Sequence, residues 1–182
     1  NRKTGLVGDG TSKYLNSNRN NNADPQNSCH ISVYGTAFGA TTASVKVPLG
    51  RQINGYNEKA IFASTAINTG LVAVRCQSQD APVSHTSARV NGLVGTSRSN
   101  SSTISIRNNK STVSASQASF LPSAPTLFVF ASSNGNLPND GGTASSFDDS
   151  RLAFYSIGES LDLQKLDNRV TDLINAIGAA IP

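Results

Sequence analysis

Apolar residues in this chain come in short runs, and Gly, Asn, Ser or Pro closes each run before it lengthens. Ile31-Ser32-Val33-Tyr34, Ala60-Ile61-Phe62-Ala63, Leu71-Val72-Ala73-Val74-Arg75, Thr103-Ile104-Ser105-Ile106-Arg107 and Arg151-Leu152-Ala153-Phe154-Tyr155 are strand-length and mostly β-branched or aromatic. They recur at roughly 8–15 residues, the rhythm of a β-sandwich or barrel. Leu127-Phe128-Val129-Phe130-Ala131 is apolar on both faces and reads as a central, doubly covered strand. Asn108-Asn109 reads as the hairpin turn into Thr112-Val113-Ser114. Composition narrows the field further: 59 of the 182 residues are Ser, Thr or Asn, 14% are charged and 37% hydrophobic. No run approaches the ~18–20 apolar residues of a bilayer span, so membrane insertion is not expected. Ala, Glu, Lys and Leu do not dominate, which excludes a helical bundle. A net charge of only +4 separates the chain from the highly charged disordered class. The expected fold is therefore all-β, a two-sheet antiparallel sandwich.

The pI of about 9.3 suggests nucleic acid, but the charge distribution opposes that reading. Residues 1–130 carry 12 Lys/Arg against 4 Asp/Glu, and residues 131–182 carry 3 against 7. Lys13, Arg19, Lys46, Arg51, Arg75, Arg89, Arg98 and Arg107 are scattered singly, without interleaved aromatics. They read as isolated solvated charges rather than a nucleic-acid footprint. Cys29 and Cys76 read as free, partly buried thiols, with one disulfide as the alternative. Cys29-His30 is no zinc pair, because adjacent strand residues point to opposite faces and His85 is the only other histidine. The opening Asn1-Arg2-Lys3 reads as a piece of a longer or processed polypeptide.

The end of the chain follows a different period. Leu163, Leu166, Val170, Leu173, Ile177 and Ala180 are spaced 3, 4, 3, 4, 3, one apolar stripe on a helix. Asp162 is placed to cap it, and Leu161 with Leu166 to staple it. The expected organisation is a sandwich over 1–160 and an amphipathic helix over 161–182, packed on the sandwich or at a subunit contact. For the contact, Leu163, Leu166, Val170, Leu173 and Ile177 are the candidates.

Chemistry is sparse. Glycoside hydrolysis needs two carboxylates about 5–10 Å apart across a groove. Glu58 and Glu159 are the only glutamates, no Gly-x-Ser-x-Gly elbow exists, and no catalytic residue is assigned. Asn139, Asp140, Asp148 and Asp149 offer hard oxygens to calcium, though their spacing fits no EF-hand loop. No cofactor or metal is therefore expected, calcium being the weaker alternative. Sugar binding favours exposed aromatics among polar groups. The aromatic candidates are Tyr14, Tyr34, Tyr56, Tyr155, Phe38 and Phe147, of which Tyr56, in the turn Asn54-Gly55-Tyr56-Asn57, is expected to be exposed. Tyr14, Tyr34 and Tyr155 are expected to be core or half-buried. Asn21, Asp24, Asn139 and Asp140, in the polar loops 16–28 and 134–149, complete the ligand candidates.

Two terminal segments carry a family resemblance. Gly5-Leu6-Val7-Gly8-Asp9-Gly10-Thr11-Ser12-Lys13-Tyr14-Leu15-Asn16-Ser17-Asn18-Arg19, continued by Asn22-Ala23-Asp24-Pro25-Gln26-Asn27, resembles the opening of a group of phage virion and prophage proteins. Arg151-Leu152-Ala153-Phe154-Tyr155-Ser156-Ile157-Gly158-Glu159-Ser160-Leu161-Asp162-Leu163 is similar to the close of the same group. More distantly, the layout resembles a concanavalin A-like or laminin-G-like domain. The resemblance implies a jelly roll on the virion surface, in a tail fibre, a spike or a capsid decoration. It also implies a homo-oligomer, most simply a trimer, with other virion proteins as partners. The expected function is non-catalytic attachment to a host-surface polysaccharide. The alternatives are a decoration module that touches only virion subunits and, behind it, a glycan depolymerase.

Overall fold

Alternation decides which side of each strand is buried, and here it builds two sheets that share one apolar seam. The computed structural model describes residues 3–40, 44–53, 56–63, 71–135 and 142–181. In chain order the strands are β1 (Leu6–Val7), β2 (Leu15–Asn20), β3 (Cys29–Ala37), β4 (Lys46–Ile53) and β5 (Tyr56–Ala63). Then follow β6 (Leu71–Cys76), β7 (Val83–Ala88), β8 (Gly92–Arg98), β9 (Thr103–Asn108) and β10 (Ser111–Ser116). β11 (Thr126–Val129), β12 (Ser132–Asn134), β13 (Thr143–Ser145) and β14 (Arg151–Gly158) lead to the C-terminal helix, α1 (Leu163–Ala180).

The first sheet has the order β1-β14-β3-β8-β9-β10. The second runs β13-β12-β4-β5-β6-β7, with β11 joining β2 to β4. Among the described residues every pairing is antiparallel except β12 on β4. This is the all-β, two-sheet jelly-roll sandwich with a C-terminal helix that the strand rhythm predicts. Ile31, Val33, Val94, Ile106 and Leu152 of the first sheet meet Leu49, Ile61, Val74, Leu127 and Val129 of the second. A second, smaller apolar cluster of Val47, Ala60, Phe62 and Ala73 lies apart from this core. Gly50 permits it: a Cβ there would stand 2.7 Å from Val47 and 2.8 Å from Ala60. Leu127 to Ala131 is buried throughout, as its two apolar faces require.

Several expectations fail, chiefly because polar residues are buried here with partners of their own. The stretch 16–28 is not a free surface loop: Leu15–Asn20 pairs with β11, and Asn21–Ala23 forms a short 3-10 turn. The scattered bases are not all solvated, since Arg51, Arg75, Arg98 and Arg107 are buried. Their guanidinium groups bind main-chain carbonyls or a carboxylate: Arg51 binds Ser133 and Gly135, Arg75 binds Asp80, and Arg107 binds Asp167. Arg98, on the first sheet, donates to the carbonyls of Cys76 (2.7 Å), Gln117 (2.9 Å) and Asn100 (3.1 Å). Cys29 and Cys76 are fully, not partly, buried.

The helix begins as its sequence predicts, with Asp162 accepting from the main-chain N–H groups of Gln164 (2.9 Å) and Lys165 (3.1 Å). It lies against β8, β9 and β10 on the outer face of the first sheet. Leu163 and Val170 are buried there and so are not free for a subunit contact. Leu166 and Ile177 are half-buried, and Leu173 is 49% exposed. Only the first half of the helix is anchored, and an ion pair inside that half, Arg107–Asp167 at 2.9 Å, ties it to β9.

Replacing Arg98 by Met keeps the length but leaves three carbonyls without their donor. The expected loss is about 3 kcal/mol or more, read as a lower urea midpoint with an unchanged slope. A midpoint within error of the parent would show that Arg98 does not tie the sheets together.

Candidate functional site

Register places Tyr34 at the centre of the outer face of the first sheet. Val33 and Val94 pair across β3 and β8 and point into the core, so the next pair, Tyr34 and Leu93, points out. Phe154 of β14 stands opposite Tyr34 on its other side. Helix α1 crosses this face, anchored through Leu163, Asp167 and Val170. Where it passes the strand ends, a cleft of about 290 Å³ remains between helix and sheet.

Tyr34 and Leu93 line this cleft together with Asp167, Thr171 and Asn175 of the helix. Asn91, Asn109 and Lys110 line it from the strand connections. A second hollow of about 380 Å³ shares Lys110, Asp167 and Thr171 with it and adds Arg107, Asn168 and Asp172. Gly92 lies at the edge with φ +128°, and a Cβ there would meet nothing within 4 Å.

The polar groups of the cleft divide into committed and uncommitted sets. Asp167 is committed: Arg107 Nε donates to Oδ2 at 2.9 Å and Thr171 Oγ1 donates to Oδ1 at 3.3 Å. Arg107 Nη1 is also used, donating to Thr112 Oγ1 at 3.0 Å. Asn91 accepts from the Phe38 N–H at 3.2 Å and keeps its own amide protons for other use. The side chains of Asn109, Lys110 and Asn175 make no hydrogen bond or ion pair among the described residues.

Lys110 sits in an unusual backbone state. The β9–β10 turn is Asn109-Lys110, both left-handed at φ 50° and 57°, with Asn108 paired to Ser111. The turn is thus one residue later than Asn108-Asn109. Such a turn favours Gly at its second position, and a lysine there costs about 1–2 kcal/mol. That cost holds a cation at the mouth of both hollows. Strain of this kind collects where a side chain is used.

The residues singled out from sequence are mostly elsewhere. Asn21 is fully buried and donates to Glu58 Oε2 at 3.1 Å. Asp24 is buried between Arg19 and Lys59, so neither residue can meet an external ligand. Glu58 is itself buried, accepting from Asn21 and Ser123. Asn139 and Asp140 lie outside the described residues. Tyr56 opens β5 rather than sitting in a turn. Tyr14 and Tyr155 are more exposed than their patterns suggest, Tyr14 stacking on Phe128 with centroids 4.5 Å apart. Tyr34 is half-buried as expected and lines the cleft, while the side chain of Tyr56 lies outside the described residues. The remaining cleft residues carry no sequence motif. The one local sign was a lysine where a tight hairpin favours glycine.

His30 is no metal ligand: its Nδ1 lies 2.6 Å from the Glu159 carbonyl and its Nε2 2.7 Å from Ser156 Oγ. At the calcium candidates, Lys46 Nζ lies 2.7 Å from Asp149, placing a cation where a metal would have to bind. Asp148 is fully buried, accepts from the Ser150 N–H at 3.1 Å through Oδ2, and has no partner for Oδ1. Burial pushes its carboxyl above the ordinary 3.8. A raised folded value means that ionised Asp148 opposes folding: the cost is absent below 3.8 and grows as pH rises through the folded value. Asp148→Asn is expected to melt higher than the parent at pH 7, with the gain disappearing at pH 3. Equal melting temperatures at pH 7 would contradict a net cost of burying this charge.

No protein-family model matches the chain. No curated protein matches it either. Among solved structures, a toad ovary galectin in complex with N-acetylgalactose is similar over 81% of this chain and 98% of its own. The identity is 12% and the TM-score 0.42, a level at which neither its site nor its ligand is carried over.

Proposed function

We propose that this chain is the outward, non-catalytic domain of a phage tail fibre or spike, and that it attaches the virion to a host-surface glycan. The virion assignment, and with it a place on the particle exterior, rests on the terminal segments 5–27 and 151–163 and their resemblance to phage proteins. The glycan assignment rests on one observation, the cleft beneath α1. A half-buried tyrosine lies there among uncommitted amides and one uncommitted lysine. Sugars need an apolar platform for a ring face and fixed polar groups for their hydroxyls, and the cleft offers both. Its carboxylate argues for binding rather than hydrolysis. Asp167 is engaged by Arg107 and Thr171 and is the one carboxylate among the described lining residues of the cleft, whereas hydrolysis takes a pair across a groove.

The alternative, a decoration module contacting virion subunits, has support of its own. Leu6 (60% exposed), Val7, Tyr14, Leu15 and Tyr155 form an exposed apolar border beside two shallow grooves at the β1 and β2 edges. Isolated exposed apolar residues are ordinary, but a contiguous set marks an interaction surface.

Binding is tested by isothermal titration with polysaccharide from susceptible hosts. Tyr34→Ala is expected to weaken binding at least tenfold, about 1.4 kcal/mol. Lys110→Gly is expected to weaken it while the melting temperature holds or rises, because glycine relieves the left-handed turn. Binding unchanged in both variants would remove the cleft from the proposal. Absence of binding across the polysaccharides would favour the decoration reading.

The helix makes a separate prediction. If its exposed edge joins three chains, Leu166→Asp with Leu173→Asp lowers the solution mass to that of a monomer. An unchanged mass with a lower melting temperature would show that the helix serves only its own domain.

A further inference from the structure

Cys29 begins β3 in one sheet and Cys76 ends β6 in the other. The two residues are 47 apart in sequence, fully buried, with their sulfurs 3.1 Å apart. Both sit within the apolar seam that also holds Ile31, Val74 and Val94.

Their backbones are anchored on both sides of the seam. Cys29 pairs in register with Arg98, and Arg98 Nε donates to the Cys76 carbonyl at 2.7 Å. The Cys76 N–H donates to Gln117 Oε1 at 3.1 Å. One buried arginine therefore sits beside the first cysteine and holds the main chain of the second. A disulfide needs its two sulfurs brought together from fixed backbones, and two anchored strands hold these sulfurs 3.1 Å apart, within about 1 Å of an S–S bond length. The adjacent His30 gives the thiols no partner, since its ring is held by Ser156 and the Glu159 carbonyl.

We propose that Cys29 and Cys76 close an inter-sheet disulfide that clamps the sandwich across its core. The oxidant is a small-molecule or protein disulfide. One cysteine thiolate attacks it and releases one thiol, and the second cysteine then attacks the mixed disulfide and releases the other. Two protein thiols and one external disulfide become one protein disulfide and two external thiols, with two electrons passing to the oxidant.

Burial also sets the timing. The hydrogen-bonded Cys76 sulfur, followed by desolvation, holds the Cys29 thiol far above its ordinary value. Cys29 is therefore a poor nucleophile in the closed sandwich, and with both cysteines fully buried an external disulfide does not reach either sulfur there, so the bond forms while the sheets assemble. The same burial shields the finished bond from reductant.

The test uses the whole chain. The protein is reduced in denaturant, refolded in mixed reduced and oxidised glutathione, quenched with acid, unfolded without reductant and alkylated with iodoacetamide. The expected product carries no adduct, is two hydrogens lighter than the reduced chain, and yields a cross-linked peptide containing residues 29 and 76. It resists dithiothreitol when folded and yields to it in denaturant. It melts above the reduced protein by on the order of 10 °C. Two alkylated cysteines, or glutathione adducts without the cross-link, would overturn the proposal. So would a melting temperature that does not depend on redox state while the Cys29→Ser, Cys76→Ser variant behaves identically.

Discussion

Buried guanidinium groups hold together what the apolar residues alone would leave loose. With 37% hydrophobic residues, and with loops wrapped over its strand ends, the chain brings main-chain carbonyls inside that no ladder can satisfy. Arginine suits this task because one planar group presents five donors in a fixed fork. Arg98 shows the arrangement most fully. From the first sheet it reaches the carbonyl of Cys76 in the second and those of Asn100 and Gln117 in the bordering loops. Arg51 does the same between β4 and the main chain of β12 and the residue that follows it. The basic pI is thus in part a property of the interior.

The first sheet has a different economy on its outer side. There the helix covers β8, β9 and β10, and its attachment is confined to its first half. Asp167 is the residue on which structure and site converge. Its pairing with Arg107 docks the helix, and the same carboxylate forms a wall of the cleft. Because the anchor ends near Val170, the rest of the helix spans the cleft without filling it. Tyr34 stays reachable for that reason, although it lies in a central strand.

Much of the architecture was legible in the residues because its causes are local. Strand runs, the breaks between them and the helix with its Asp162 cap all depend on neighbours within a few positions. The hairpin turn was misplaced by one residue, since Asn108, Asn109 and Lys110 offer two overlapping turns and pairing with Ser111 selects the later one. Asn21 and Asp24 were misread for a different cause. In sequence they belong to a polar loop; in space they meet Glu58, Arg19 and Lys59, and a polar residue with such partners can be buried.

Sequence by itself determined that this is a sandwich of short strands closed by one capped, amphipathic helix, since periodicity and capping are short-range. It also named Tyr34 among the aromatics, but preferred Tyr56 as the exposed one and grouped Tyr34 with Tyr14 and Tyr155 as core or half-buried. Tertiary structure decided the rest. The Tyr34–Leu93 register and the Arg107–Asp167 pair gather residues 34, 91–93, 109–110 and 167–175 into one cleft. The same closure brings Cys29 against Cys76 and takes Asn21 and Asp24 away from solvent. The physical reason is that a side chain's surroundings are set by which faces meet, and that is a property of strand pairing and sheet packing across the whole chain.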